Sequence, residues 1–332
     1  MTSREAPLPA GAFIAPGYEV VGLLNRNWAY EVYDVWSAER DCRCVAKTVR
    51  ADRLDDHLVT RLLREGRLLQ RMTHPHLVRA YETIKTPVPV VILETLNGPT
   101  LAAILDDQPR RMPVSDLALL GLHLCSAMHY LHGRGFLHLD LKPSNVINSG
   151  GVAKVLDLSI ARPPGRQRPG IGTRGYLAPE QARGGEVTAA TDVWGIGITL
   201  FEAATGALPF DGYDTDDEHD EEYPGDAHRY PQLEHAPRSV GALRRLPRPF
   251  TEAINACLAF DPSARPSVPQ LADALDSLLP LEPGEAAHQL RAPDSGPPRK
   301  IRGVPPSHLA AEWSDGSAPG EGGSDREEAS VA

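Results

Sequence analysis

Cysteine is scarce in this chain of 332 residues, and the four present (Cys42, Cys44, Cys125, Cys257) do not make a disulfide framework for a protein of this size. Cys42-x-Cys44 lacks the second pair that a zinc site needs, so all four read as reduced thiols. Positive charge is short as well. With 34 Lys and Arg against 44 Asp and Glu the net charge is −10, which argues against a dominant nucleic-acid or membrane-surface role. The most apolar stretch, Val193–Ala204, is too short to cross a bilayer and carries Glu202. No charged, apolar, cleavable leader opens the sequence, and no internal repeat is found. Glycine is missing between Gly22 and Gly66. The expectation is a cytoplasmic protein whose apolar content of 41% suffices for a real core.

What is there centres on His138–Asn145, His-Leu-Asp-Leu-Lys-Pro-Ser-Asn, a polar loop between the helix stop at His132–Gly135 and a short apolar run. It gathers a carboxylate, an ammonium and a carboxamide, with Pro143 stiffening the backbone between them. Val146–Asn148 and Val152–Leu156 are β-prone runs joined by Ser149-Gly150-Gly151, a hairpin signal. Folding that hairpin brings Asn145 close to Asp157. Their oxygens would flank one small site suited to Mg²⁺.

Further upstream, Tyr18–Leu24, Glu31–Trp36 and Cys44–Val49 read as strands, with Asn25-Arg26-Asn27 as a turn. Val45, Lys47 and Val49 share one face, so Lys47 projects from an apolar row. Asp55–Met72 reads as a helix on which Leu58, Leu62, Glu65, Leu69 and Met72 form one stripe. Glu65 therefore faces the core and needs a partner, for which Lys47 is the obvious candidate. Gly66 beside it weakens the helix by about 1 kcal/mol and should leave it easily displaced. Ser115–His132 reads as a long amphipathic helix, Thr188–Ala204 as a buried one, and Phe250–Leu258 and Val268–Leu278 as closing helices. His123, His129 and His132 lack ligand spacing and read as helix-surface histidines.

The pattern His-x-Asp-x-Lys-Pro-x-Asn resembles the catalytic loop of eukaryotic-type serine/threonine protein kinases. The resemblance extends to Val45-Ala46-Lys47, to Asp157-Leu158-Ser159 in the place of Asp-Phe-Gly, to Gly172–Glu180 as Gly-Thr-x-x-Tyr-x-Ala-Pro-Glu, to Asp192 in Asp-Val-Trp-Gly, and to Arg265. It covers roughly Tyr18 to Leu279 and implies an α+β, bilobal protein-kinase-like fold. Residues 17–94 would be the small β-rich lobe, 94–98 the hinge and 99–279 the mainly helical lobe, flanked by a flexible segment, 1–16, and a disordered Pro/Gly/Ser/Glu-rich tail, 280–332.

By the same resemblance Asp140 is the base, Lys142 neutralises the moving phosphoryl group, and Thr173 bonds both. Asn145 and Asp157 hold the metal, Mg²⁺ with Mn²⁺ as the alternative. Lys47, locked by Glu65, binds ATP phosphates; Val32, Ala46, Leu93, Glu94, Leu96 and Ile147 belong to the nucleotide pocket, with Leu93 gating its back. Asp192 anchors the catalytic-loop backbone, and Glu180 pairs with Arg265. The implied activity is ATP-dependent phosphorylation of Ser/Thr in protein substrates. The acidic run Asp211–Asp226 reads most plainly as a solvated loop; the other reading is a field that draws basic substrates.

Three departures matter. Aligning Val32 with the valine of Gly-x-Gly-x-x-Gly-x-Val puts Asn25, Asn27 and Tyr30 at the glycines. Asparagine tolerates positive φ, so the turn can survive, but Tyr30 should leave nucleotide more weakly or differently seated. Leu139 replaces the arginine that receives an activation-loop phosphate, and Ile160–Gly172 contains no Ser or Thr, so no activating phosphorylation is expected there, with Ser159 and Thr173 at its margins. Leu158-Ser159 replaces Phe-Gly, keeping an apolar filler and restricting the backbone. The altered glycine loop keeps a second reading open, a pseudokinase that acts as a nucleotide-responsive scaffold.

Overall fold

In the computed structural model, residues 6–107, 111–210 and 230–279 are described. The acidic run 211–226 and the tail 280–332 lie outside them. A six-stranded antiparallel sheet forms the first lobe. Its strands are β1 (Phe13–Ala15), β2 (Tyr18–Arg26), β3 (Tyr30–Ser37), β4 (Cys42–Val49), β5 (Ala80–Ile84) and β6 (Val90–Glu94), in the order β1-β2-β3-β4-β6-β5. Where composition suggests a loose start, Phe13–Ala15 pairs with β2 and buries Ile14 and Ala15. The β2–β3 turn also falls later than expected, at Asn27-Trp28-Ala29.

Alternation along the strands sorts the sheet into two faces. Val20, Tyr33, Val35, Cys44, Ala46, Val90 and Ile92 close an apolar core on one side. Register places Val32 opposite Lys47, Lys47 opposite Val91, and Val45 opposite Leu93, so these residues share the other side.

Helix α1 (Asp56–Arg71) packs beside β4, β5 and β6. Asp55 starts it by accepting the backbone N–H groups of His57 and Leu58, and its buried stripe includes Leu58, Leu62, Glu65 and Leu69. Gly66 has a packing role as well. A Cβ there would come within 2.5 Å of Thr83 Oγ1 and 2.6 Å of Val91 Cγ2, so glycine sets how closely the helix approaches the sheet. Gly66→Ala is expected to destabilise the protein by about 1–2 kcal/mol, because crowding two stiff β-branched side chains outweighs the gain in helix propensity. A raised urea midpoint would show the reverse.

The second lobe is mainly helical: α2 (Leu101–Asp107), α3 (Val114–Gly133), α4 (Pro179–Arg183), α5 (Ala189–Thr205), α6 (Pro231–Glu234), α7 (Val240–Leu243), α8 (Arg248–Cys257) and α9 (Val268–Asp276). α3 is long and apolar enough to cross a membrane by length and composition, yet it contacts α5 and α9 and buries Leu117, Leu124, Met128 and Leu131. α5 is apolar nearly all round and buried along its length, with Thr188 as its N-cap. Two antiparallel pairs complete this lobe, β7 (Val146–Ser149) with β8 (Val152–Val155), and β9 (Gly165–Arg166) with β10 (Glu186–Val187).

Candidate active site

The site forms where the Lys47 face of the sheet, on which α1 also packs, meets the loops between α3 and α5. Lys47 and Glu65 are 7% and 2% exposed, and the ammonium donates to both carboxylate oxygens at 3.0 and 2.8 Å. It also lies 3.3 Å from Asp157 Oδ2, so the second lobe supplies its other partner. Burial works against the ammonium, but Asp157 and Glu65 outweigh it and raise Lys47 above the ordinary lysine range. Burial likewise opposes the Asp157 carboxylate, and Lys47 with the Ser159 hydrogen bonds holds it well below the usual carboxylate range. Both charges therefore persist across neutral pH.

Glu65 responds differently. Burial pushes its carboxyl up to about 7, against the opposing pull of Lys47. As pH falls through that value Glu65 takes up a proton and Lys47 loses one anionic partner. Any activity that needs the pair should show an acid limb near pH 7, and Glu65→Gln should lower the plateau and remove that limb. A limb unchanged in the variant would assign it to another group.

The catalytic-loop candidates form a second knot. Asp140 Oδ1 accepts from Thr173 N at 3.0 Å and from Thr173 Oγ1 at 2.6 Å, while Oδ2 accepts from Asn145 Nδ2 at 3.0 Å. Lys142 Nζ donates to Thr173 Oγ1 at 2.7 Å and stands 3.8 Å from Asp140 Oδ2. The threonine hydroxyl thus bridges the ammonium and the carboxylate.

A 3-10 turn, Pro143–Asn145, leads into β7, and the Asn145 carbonyl accepts from Leu156 N at 2.8 Å. The hairpin so brings Asn145 beside the segment carrying Asp157. Asn145 Nδ2 also donates to the Asp140 carbonyl at 2.9 Å, which leaves Oδ1 as the amide's acceptor. An amide oxygen and a carboxylate are hard oxygen donors that fit Mg²⁺ with phosphate oxygens completing its shell.

The loop is pinned from beneath. Buried Asp192 accepts from His138 N at 2.9 Å and Leu139 N at 2.8 Å, and its Oδ2 is 2.7 Å from His132 Nε2. Burial disfavours its charge, but the His132 contact and the backbone bonds lower its pKa. Leu139 holds φ at +69°, a conformation that a leucine keeps only under such constraint. His132, expected on the helix surface, belongs to this anchor; a tertiary contact sixty residues away leaves no local sequence signal. Among the described residues no group of three or more His, Cys, Asp or Glu could hold a metal ion.

The residues assigned to the nucleotide pocket do not all share one face of the sheet. Val32 shares the face of Lys47, as does Leu93 across from Val45, and Ile147 is half-buried on β7. Ala46 points to the opposite face and packs with Tyr33, Cys44 and Ile92, because successive strand residues alternate sides. Val45, not Ala46, lies on the face of Lys47. Glu94 ends β6 with its carboxylate 2.6 Å from Lys154 Nζ, and Leu96 follows in the connecting segment. A Cβ on Gly98 would collide with the Asn148 carbonyl, so glycine lets this segment cross β7 closely.

The loop between β2 and β3 survives without positive φ at Asn25 or Asn27. Instead Asn27 Oδ1 accepts the backbone N–H groups of Ala29 at 2.9 Å and Tyr30 at 2.6 Å, an Asx-type turn. Leu158 is fully buried, as its apolar role requires. The Ser159 hydroxyl accepts from Arg61 Nη2 of α1 at 3.1 Å, a contact that glycine could not make. Buried Arg265 pairs bidentately with Glu180 at 2.7 and 2.8 Å, and Gln181, missed in the sequence, donates to the Leu139 and Ile171 carbonyls at 2.9 and 3.1 Å.

Residues 29–275 match the family model described as the protein kinase domain. Among curated relatives, the serine/threonine-protein kinase PkaA of Streptomyces coelicolor is 34% identical over 233 residues, 67% of this chain and 40% of that protein. The DNA damage-responsive serine/threonine-protein kinase RqkA of Deinococcus radiodurans is 32% identical over 218 residues, 62% of this chain and 32% of that protein. The serine/threonine-protein kinase PknB of Mycobacterium tuberculosis is 33% identical over 209 residues, 59% of this chain and 33% of that protein. The matched part of the chain spans about a third of each of these relatives, up to 40%.

Proposed function

Because the chain belongs to the protein kinase domain family, we propose that it is a serine/threonine protein kinase that transfers the γ-phosphoryl group of ATP to Ser/Thr hydroxyls of protein substrates in the cytoplasm. The observation that carries this is the junction of two ionic groups, Lys47–Glu65–Asp157 and Asp140–Thr173–Lys142, across one cleft. In the reaction Asp140 orients the acceptor hydroxyl and takes its proton, while Lys142 offsets charge on the group in flight. Lys47 holds the nucleotide phosphates. Asn145 and Asp157 would hold Mg²⁺, or Mn²⁺ in its place, which supplies charge neutralisation at the phosphates when bound. Net charge favours basic protein substrates over nucleic acid or anionic membrane.

We also infer that activity does not depend on phosphorylation between Ile160 and Gly172. That stretch offers no hydroxyl, and main-chain bonds order it: Leu137 and Arg162 exchange a pair at 2.7 and 3.1 Å, Gln167 N reaches Gly185 O at 2.9 Å, and Gly170 N reaches Gln181 O at 2.9 Å. An activating phosphate mapped inside it would refute this.

The test is incubation with labelled ATP, Mg²⁺ and a generic basic protein, with Lys47→Met and Asp157→Asn as controls. Transfer lost in both variants supports the kinase. The Asn27 contacts, which occupy loop N–H groups, favour the scaffold reading as the runner-up. Folded protein that transfers nothing with either metal, but is thermally stabilised by nucleotide, would establish it instead.

A further inference from the structure

Tyr30 stands at the position of the last glycine in the aligned loop, and its side chain lies over Lys47. It shares the face of Val32 two residues on, since alternate residues of β3 point the same way, and Val32 lies opposite Lys47. The residue is 5% exposed, and its ring centroid lies 4.9 Å from Lys47 Nζ, a cation–π contact. Its hydroxyl oxygen is buried with no hydrogen-bond partner among the described residues. A phenol kept in that state is costly to the fold; turned outward, it would regain water. Burial raises its pKa to about 12 in spite of nearby Arg61 and Lys47.

Two features that would otherwise receive phosphate are thus engaged by the chain itself. Asn27 Oδ1 takes the N–H groups of Ala29 and Tyr30, and the Tyr30 ring covers the Lys47 ammonium on a side that Glu65 and Asp157 leave to it. We propose that the Tyr30 ring occupies the seat of the nucleotide's phosphates and must be displaced by them, so that Tyr30 sets the affinity of this cleft for a triphosphate relative to bare adenosine. This rests on the nucleotide-binding reading above and adds its specificity determinant. Adenosine, lodged against Val32, Val45 and Leu93, has no need to move the ring; ATP does.

The test is titration calorimetry of the full chain with adenosine and with ATP plus Mg²⁺, on the wild type and on Tyr30→Gly, Tyr30→Ala and Tyr30→Phe proteins, each checked for a cooperative melt. The Gly and Ala variants should bind ATP about tenfold more tightly than wild type with adenosine affinity within about twofold, and the Phe variant, which keeps the ring, should not tighten. ATP affinity unchanged or weakened in both small-residue variants overturns the proposal. So does a Phe variant that tightens as much as Ala, which would assign the effect to the hydroxyl. Folded proteins that bind neither ligand would instead remove the nucleotide reading, and this inference with it.

Discussion

Asp140→Asn is expected to lower the rate of phosphoryl transfer by about 10³-fold while the protein still folds and still binds nucleotide. The carboxylate is held by three hydrogen bonds, two from Thr173 to Oδ1 and one from Asn145 to Oδ2. An asparagine of equal size keeps an acceptor for Thr173 but turns an NH₂ group toward the amide of Asn145, donor against donor. It also loses the basicity that, in the proposed reaction, receives the acceptor's proton. Since the proton moves only as transfer proceeds, the loss should appear in kcat with KM for ATP little changed. A fall of less than about tenfold, measured with a peptide substrate at saturating ATP, would remove Asp140 from the role of base.

Arg265→Met should be the most destabilising single change in the second lobe, by about 3–5 kcal/mol. Arg265 lies wholly within the fold, and all five of its N–H donors are used: two on Glu180, and one each on the carbonyls of Ala190, Ala259 and Phe260. Its guanidinium lies 5.1 Å from the centroid of the Trp194 ring. Methionine fills much of the volume but leaves Glu180 as a largely enclosed carboxylate, its side chain 10% exposed, with Thr191 Oγ1 at 2.9 Å in support. The urea midpoint should fall at unchanged slope, and adding Glu180→Gln should recover part of the loss. A loss below about 1 kcal/mol would class the pair with solvent-screened bridges.

Periodicity made much of this arrangement readable in advance. Glu65 falls on the apolar stripe of α1, which forces a partner, and the hairpin signal at Ser149-Gly150-Gly151 brings Asn145 and Asp157 together. Two side-chain hydrogen bonds were not readable. Asn27 holds the β2–β3 turn through its oxygen rather than through positive φ, and His132 reaches Asp192 across the lobe. Neither leaves a periodic mark: the first is a local Asx-type turn outside any strand or helix period, and the second depends on a partner sixty residues away. Ala46 was separable in principle: the alternation that unites Val45, Lys47 and Val49 excludes it, and the motif alone obscured this.

The Ser159 hydroxyl has a mechanical consequence. Arg61 and Glu65 are one turn apart on α1, so they present side by side. One reaches Ser159 directly; the other reaches Asp157 through Lys47. The helix and the acidic strand-end are therefore clutched at two points instead of one, and slipping either would drag its companion. With glycine at that position the two could disengage in turn; with serine they travel as a single throw.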